Sequence, residues 1–136
     1  MSGKNPVVHF EMPYEDAQRV TQFYKEAFGW GMQQFGADMG NYITAQTAPT
    51  DENRMITKPG MINGGLFPKT EDSAQVPSVV IAVDDIKAAM QAVKDAGGEV
   101  LGEPVDIPGI GTYVSFKDTE GNRVSLLHAL PREGEK

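Results

Sequence analysis

Cysteine is absent from the sequence, which removes disulfide frameworks and thiolate metal centres from consideration. Basic residues are few: 12 Lys and Arg face 19 Asp and Glu, leaving a formal net charge of −7. Such a field repels a phosphate backbone, and no Lys/Arg cluster offers a local exception, so no nucleic-acid partner is expected. It favours a cationic small molecule, although plain solubility is a sufficient and commoner reason for an acidic surface. No apolar stretch approaches the roughly 18 consecutive residues of a membrane span, and no membrane partner is expected. The opening residues, Met1 to Pro6, are polar and carry no apolar run of the signal-peptide kind, which makes the cytoplasm the expected location. A phosphate loop, a nucleophile elbow, an HExxH segment and a Cys-His pair are all missing too, and each would have named a chemistry.

What remains is an ordinary globular composition, 40% hydrophobic and 23% charged over 136 residues. A chain of that length buries about two-thirds of its unfolded surface and folds as one domain with a core, single or in two parts. The main signal is an internal repeat. A shift of 69 residues places Asp16 on Asp85, Lys25 on Lys94, Ala27 on Ala96 and Gly29 on Gly98. The apolar positions Phe10, Met12, Val20 and Tyr24 fall on Val79, Ile81, Ala89 and Val93. Two modules follow, about 5–68 and 76–130, within a single domain spanning 1–136, joined by the polar, Pro-bounded linker Pro68 to Pro77 with its centre at 69–75.

Each module opens with an extended segment, Val7 to Met12 and Ser78 to Val83. A helix follows each. In the first, Glu15 or Asp16 caps a stripe of Ala17, Val20, Tyr24, Ala27 and Phe28 that Gly29 ends; in the second, Asp84 or Asp85 caps Ile86, Ala89, Met90 and Val93 before Gly97 and Gly98. Short strands then recur around Met32 to Phe35, Asn41 to Ala48 and Met61 to Phe67, and around Val100 to Val105, Thr112 to Lys117 and Arg123 to Ala129. The fold class is α+β, with the order β-α-β-β-β twice. The halves differ most before their last strands, where Pro49 to Pro59 replaces the compact turn Asp118 to Asn122, and a loop enlarged in one half is where function is expected. The tail from Pro131 to Lys136 is expected to fray.

The segments HFEMPYEDAQRVTQFYKEAFGW, VDDIKAAMQAVKDAGGEV and FKDTEGNRVSLL, in that order, resemble the vicinal oxygen chelate superfamily over about residues 6–130. That superfamily holds glyoxalase I, extradiol dioxygenases and bleomycin-resistance proteins, and GMINGGLFPK resembles its glyoxalase-like subgroup of undefined activity. The resemblance implies two modules whose curved mixed sheet, flanked by helices, forms a cup with a divalent metal on its floor. The usual ligands are a His or Gln on the first strand of each module and a Glu on the last. Carried over by position, His9 keeps one ligand, while Ser78, Ser125 and Gly64 stand at the other three. One neutral imidazole does not hold a divalent ion against water, so no cofactor is expected, and a divalent metal enters only if held in some unconventional way.

Strand alternation puts Glu11 on the same face as His9, and His128 on the face opposite Ser125, at the surface or core edge. The cup is therefore expected to be lined by His9, Glu11, Gly64, Ser78, Val80 and Ser125, with His9 and Glu11 the best candidates for catalysis. His9 serves either as part of a working pair with Glu11 or as an inherited polar residue of the cup. Trp30, Phe35, Tyr42, Tyr113 and Phe116 form either an aromatic wall or, the commoner use, plain core. Two functions stay open: a small-molecule binding protein with a degenerate metal site, or a lyase, isomerase or hydrolase using His9 and Glu11. A homodimer is expected, since sheet edges need cover and the resemblance implies pairing of modules between chains.

Overall fold

Two aspartates start the two helices in the same way. In the computed structural model, which describes residues 4–52, 57 and 60–129, helix α1 (Ala17–Phe28) is capped by Asp16, whose carboxylate accepts from Arg19 N at 3.0 Å. Helix α2 (Ile86–Asp95) is capped by Asp85, accepting from Ala88 N at 3.0 Å. Each cap satisfies an amide that the first turn leaves without a partner, worth about 1 kcal/mol. Gly29 ends α1 in the left-handed region, at φ 73°, a conformation a side chain would strain.

The strands are β1 (Val7–Tyr14), β2 (Gly31–Gln34), β3 (Ile43–Gln46) and β4 (Asn63–Pro68), then β5 (Ser78–Ala82), β6 (Glu99–Ile107), β7 (Gly111–Lys117) and β8 (Arg123–Ala129). The order is β-α-β-β-β twice, as the repeat requires. The chain forms two compact units: unit N, residues 9–78, and unit C, the residues up to Val8 together with those from Val79. The division differs from the module boundaries read in the sequence because the start of β1 is held by unit C, where Ala82 N donates to Pro6 O at 2.9 Å.

Within unit N the strands run β2-β3-β4-β1, with β4 parallel to β1 and the other pairs antiparallel. Unit C repeats this as β6-β7-β8-β5, with β8 parallel to β5. In each, the last strand of the module lies beside the first, which brings residues far apart in sequence into register.

Each unit has its own core under its helix. In unit N, Ile43, Ala45 and Leu66 are buried with Phe10, Met12, Ala17, Val20, Trp30 and Met32 packed against them. In unit C the buried set is Val83, Ile86, Val114, Phe116 and Leu126, joined by Ala89, Met90 and Val93 of α2. The far end of α1 departs from the expected stripe. Tyr24 stacks on Trp30 at 4.5 Å, and Phe28 touches both rings yet is 64% exposed, because the tight turn at Gly29 gives the place against Tyr24 to the tryptophan.

The linker is less open than its composition suggests. Lys69 N donates to Tyr14 O at 2.8 Å, and Ser73 and Gln75 side chains close a turn on Thr70. Most of the enlarged loop, residues 53–56, 58 and 59, lies outside the described residues, as does the tail from Pro131. Its described ends are tied down, Gln46 Nε2 donating to Thr50 Oγ1 at 2.6 Å and Thr57 N to Pro49 O at 3.0 Å.

Candidate functional site

Alternation along β1 sorts its side chains by chemistry. Phe10, Met12 and Tyr14 enter the core under α1, so His9 and Glu11 take the opposite face. Glu11 is 7% exposed there, a position that a carboxylate holds only with hydrogen-bond donors to replace water. One donor is Tyr42, whose hydroxyl gives its proton to Glu11 Oε2 at 3.2 Å. The tyrosine Oη also lies 3.3 Å from His9 Nε2, so a single tyrosine joins the two residues that alternation placed side by side.

Tyr42 immediately precedes β3, and β4 lies between β3 and β1. Its ring must therefore cross β4 to reach Glu11. It crosses at Gly65, which pairs with Glu11 on one side and Thr44 on the other. A Cβ at Gly65 would overlap Tyr42 Oη and Cζ, so the glycine is what leaves the path open. Burial lowers the pKa of His9 to about 4, because the charged imidazolium would lose its water. The ring is thus neutral near pH 7.

Unit C builds a different cluster at the matching positions. Val80 is in register with Ser125 on β8, and Ser125 with Ser115 on β7. Both serines are buried, their hydroxyls 3.1 Å apart, and Tyr113 Oη lies 2.7 Å from Ser125 Oγ. Ser78, half-buried, is two residues before Val80 on the same face of β5. His128 is exposed on the face away from Ser125, as alternation requires.

Of the expected lining residues, the structure joins His9 and Glu11 through Tyr42, and sets Val80 and Ser125 side by side. Gly64 is a correction. Its missing side chain would point into the Phe10 ring, in the core under α1, and the glycine facing His9 and Glu11 is Gly65. Counting four residues from Gly60 treats the enlarged connection as if it ended like the turn at Gly121, and a shift of one residue along a strand reverses the face. Two of the five aromatics take the commoner use, Trp30 and Phe116 packing into the cores of units N and C.

Ser115 was not among the residues singled out, and Tyr42 and Tyr113 were expected only as aromatic wall or core, not as hydrogen-bonding members of the site. The signal was present in the register: Tyr42 and Thr44, and Tyr113 and Ser115, are matching pairs, each tyrosine two residues before the one that faces the last strand.

The donors do not suit a divalent cation. Among the described residues no group of three or more His, Asp and Glu side chains is arranged to hold one. At the closing-strand positions, neither Gly64, assigned to a ligand, nor Gly65, which takes its place opposite Glu11, has a side-chain donor atom, and Ser125 has its hydroxyl committed to Tyr113 and Ser115. His9 with Glu11 supplies two donors, against the six that a hard divalent ion takes.

A family model described as the Glyoxalase/Bleomycin resistance protein/Dioxygenase superfamily matches residues 7–126. A glyoxylase-like domain-containing protein of Didymella fabae is 33% identical over 116 residues, 82% of this chain and 84% of that protein. A lactoylglutathione lyase of Oryza sativa is 27% identical over 128 residues, 90% of this chain, which spans only 44% of the rice protein's length. Among solved structures, a methylmalonyl-CoA epimerase of Streptomyces coelicolor bound to 2-nitronate-propionyl-CoA aligns with a TM-score of 0.67 at 17% identity, covering 90% of this chain and 96% of that one. That likeness is one of fold.

Proposed function

This chain belongs to the glyoxalase/bleomycin resistance protein/dioxygenase superfamily, and on that footing we propose that it is a small-molecule binding protein whose site works without a bound divalent metal. The observation that carries this reading is the cluster His9–Tyr42–Glu11, in which a tyrosine crosses Gly65 and ties together the two best donor residues of unit N. A metal site needs open lone pairs directed at one point. Here the tyrosine hydroxyl stands between the imidazole and the carboxylate. Polar groups held in place on a scaffold are what fixes a ligand's orientation in a small-molecule site.

A second reading is favoured by the same hydrogen-bonded chain. A neutral imidazole linked through a hydroxyl to a carboxylate is an arrangement that moves protons, which suits a lyase, isomerase or hydrolase acting through His9 and Glu11. The rice and Streptomyces proteins carry the names of a lyase and an epimerase. We further propose that the protein is a homodimer, because β2 and β6 end the strand order with no further strand beside them among the described residues.

Calorimetric titration separates metal-free binding from metal-dependent binding. Three probes are titrated in EDTA and again with added Ni²⁺ or Mn²⁺: bleomycin, S-lactoylglutathione and methylmalonyl-CoA. The reading predicts binding of at least one probe with the same affinity in both conditions, weakened at least tenfold in His9→Ala. Binding only with metal contradicts it, and turnover of a probe in EDTA moves the function to the second reading.

A further inference from the structure

We propose that Tyr42 is a positioning residue that fixes His9 with its proton on Nε2, so that the lone pair on Nδ1 is the acceptor this site offers to a ligand. The inference rests on the cluster being the ligand's anchor and adds which atom does the anchoring and what chemistry it selects.

A phenol has one proton, and Tyr42 gives it to Glu11 Oε2. The contact between Tyr42 Oη and His9 Nε2, at 3.3 Å, is then a hydrogen bond only if the nitrogen is the donor. A neutral imidazole carries one N–H, so a proton on Nε2 leaves Nδ1 with a lone pair. Nδ1 has no hydrogen-bond partner among the described residues. It is not sealed away, since no fully buried side-chain nitrogen or oxygen among them lacks a partner. His9 therefore presents an open acceptor, with its direction set by Tyr42 and, through Tyr42, by Glu11.

Unit C shows what happens when the crossing is closed. Ser125 stands in the register position of Gly65, as Val80 does in that of Glu11, and Tyr113 in that of Tyr42. There the tyrosine hydroxyl meets Ser125 Oγ at 2.7 Å, on the last strand of the module. In unit N the glycine lets the equivalent hydroxyl reach past the last strand to the first. The halves differ at the crossing, Gly65 against Ser125, and also on the strand beyond it, where Val80 in place of Glu11 offers no acceptor.

The ligand class follows. An acceptor nitrogen within one hydroxyl of a buried carboxylate attracts hydrogen-bond donors and positive charge, and repels oxyanions. The site therefore takes a ligand's hydroxyl, amide N–H or ammonium group at Nδ1. A carboxylate or phosphate at the same point would meet the Nδ1 lone pair with no proton to share.

Long-range ¹H–¹⁵N spectra of the full-length protein at pH 7 test this, with exposed His128, the only other histidine, as internal reference. The expected result is a single His9 tautomer, protonated at Nε2. Tyr42→Phe and Gly65→Ala, which remove the hydroxyl and the path, should each give a tautomer mixture at His9 and leave His128 unchanged. A His9 protonated at Nδ1 in the wild-type protein overturns the proposal even where a variant fails to fold, and so does a wild-type pattern kept in Tyr42→Phe. A final arm adds bleomycin, rich in amide and ammonium donors: on binding, the Nδ1 resonance should shift more than Nε2. Measurable binding that leaves Nδ1 unmoved overturns the acceptor role while the binding function stands. Absence of binding by all three probes, with the Nε2–H tautomer intact, counts against the function and not against the positioning role.

Discussion

Gly65 and Tyr42 fill one space between them: the tyrosine ring lies where a side chain at position 65 would stand. The backbone at Gly65 is not in the left-handed region, so a substitution there is opposed by the ring alone. Gly65→Ala is expected to cost about 1–3 kcal/mol, the usual range for overpacking a filled site. Urea denaturation measures it. A change below about 0.5 kcal/mol would mean that the ring moves aside freely and that the crossing is loose.

The equivalence of the two helix caps makes a paired prediction. Asp16→Ala and Asp85→Ala each remove a carboxylate that accepts a first-turn amide at 3.0 Å, and each should lower stability by about 1 kcal/mol. The comparison is made by thermal or urea unfolding at fixed pH. If one substitution is neutral and the other is not, the repeat does not extend to the energetics of its helices.

His9 makes stability depend on pH in a defined window. Its folded pKa, about 4, lies below the ordinary 6.5, so between these values the unfolded chain binds the proton and the folded one does not. Stability attributable to His9 is therefore complete above about 6.5, falls as the pH drops, and levels off below about 4. The total is at most about 3–4 kcal/mol, from 1.36 kcal/mol per pKa unit over the shift from 6.5 to about 4. Unfolding free energies from pH 4 to 7 should show this loss in the wild-type protein and a correspondingly shallower slope in His9→Gln. Equal slopes would place His9 in water, outside any buried cluster.

The repeat, the helix caps and the strand order were legible in the sequence because each follows from local chemistry: Asp16 and Asp85 begin helices, Gly29 ends one, and alternation separates Phe10 and Met12 from His9 and Glu11. Val80 and Ser125 were expected only as two residues on one face, and the register that sets them side by side comes from the pairing of β5 with β8. Gly64 was misplaced because the longer connection before β4 adds a residue that no composition rule counts. Tyr42 was seen only as one aromatic among five. Its role depends on the absence of a side chain at Gly65, the partner of Glu11 on the neighbouring strand, and such a vacancy becomes visible only when strands from distant parts of the chain are laid side by side.

β2 and β6 end the strand order with no further strand beside them among the described residues, which leads to a prediction about assembly. Unpaired strand edges invite pairing with another chain, and a second copy is the partner always at hand. Sedimentation velocity at micromolar concentration should give a species of twice the 14.8 kDa chain mass. A single species at the chain mass contradicts the homodimer.

The central claim is that this site binds without a metal, and elemental analysis of untagged protein after gel filtration tests it most directly. The donors at hand are one imidazole and one carboxylate, both already joined to Tyr42, and serine hydroxyls that satisfy one another. The account predicts Zn, Ni, Mn, Fe and Co each far below one equivalent per chain, unchanged in His9→Ala. Close to one equivalent of any of them, retained through gel filtration and lost in His9→Ala, would contradict it.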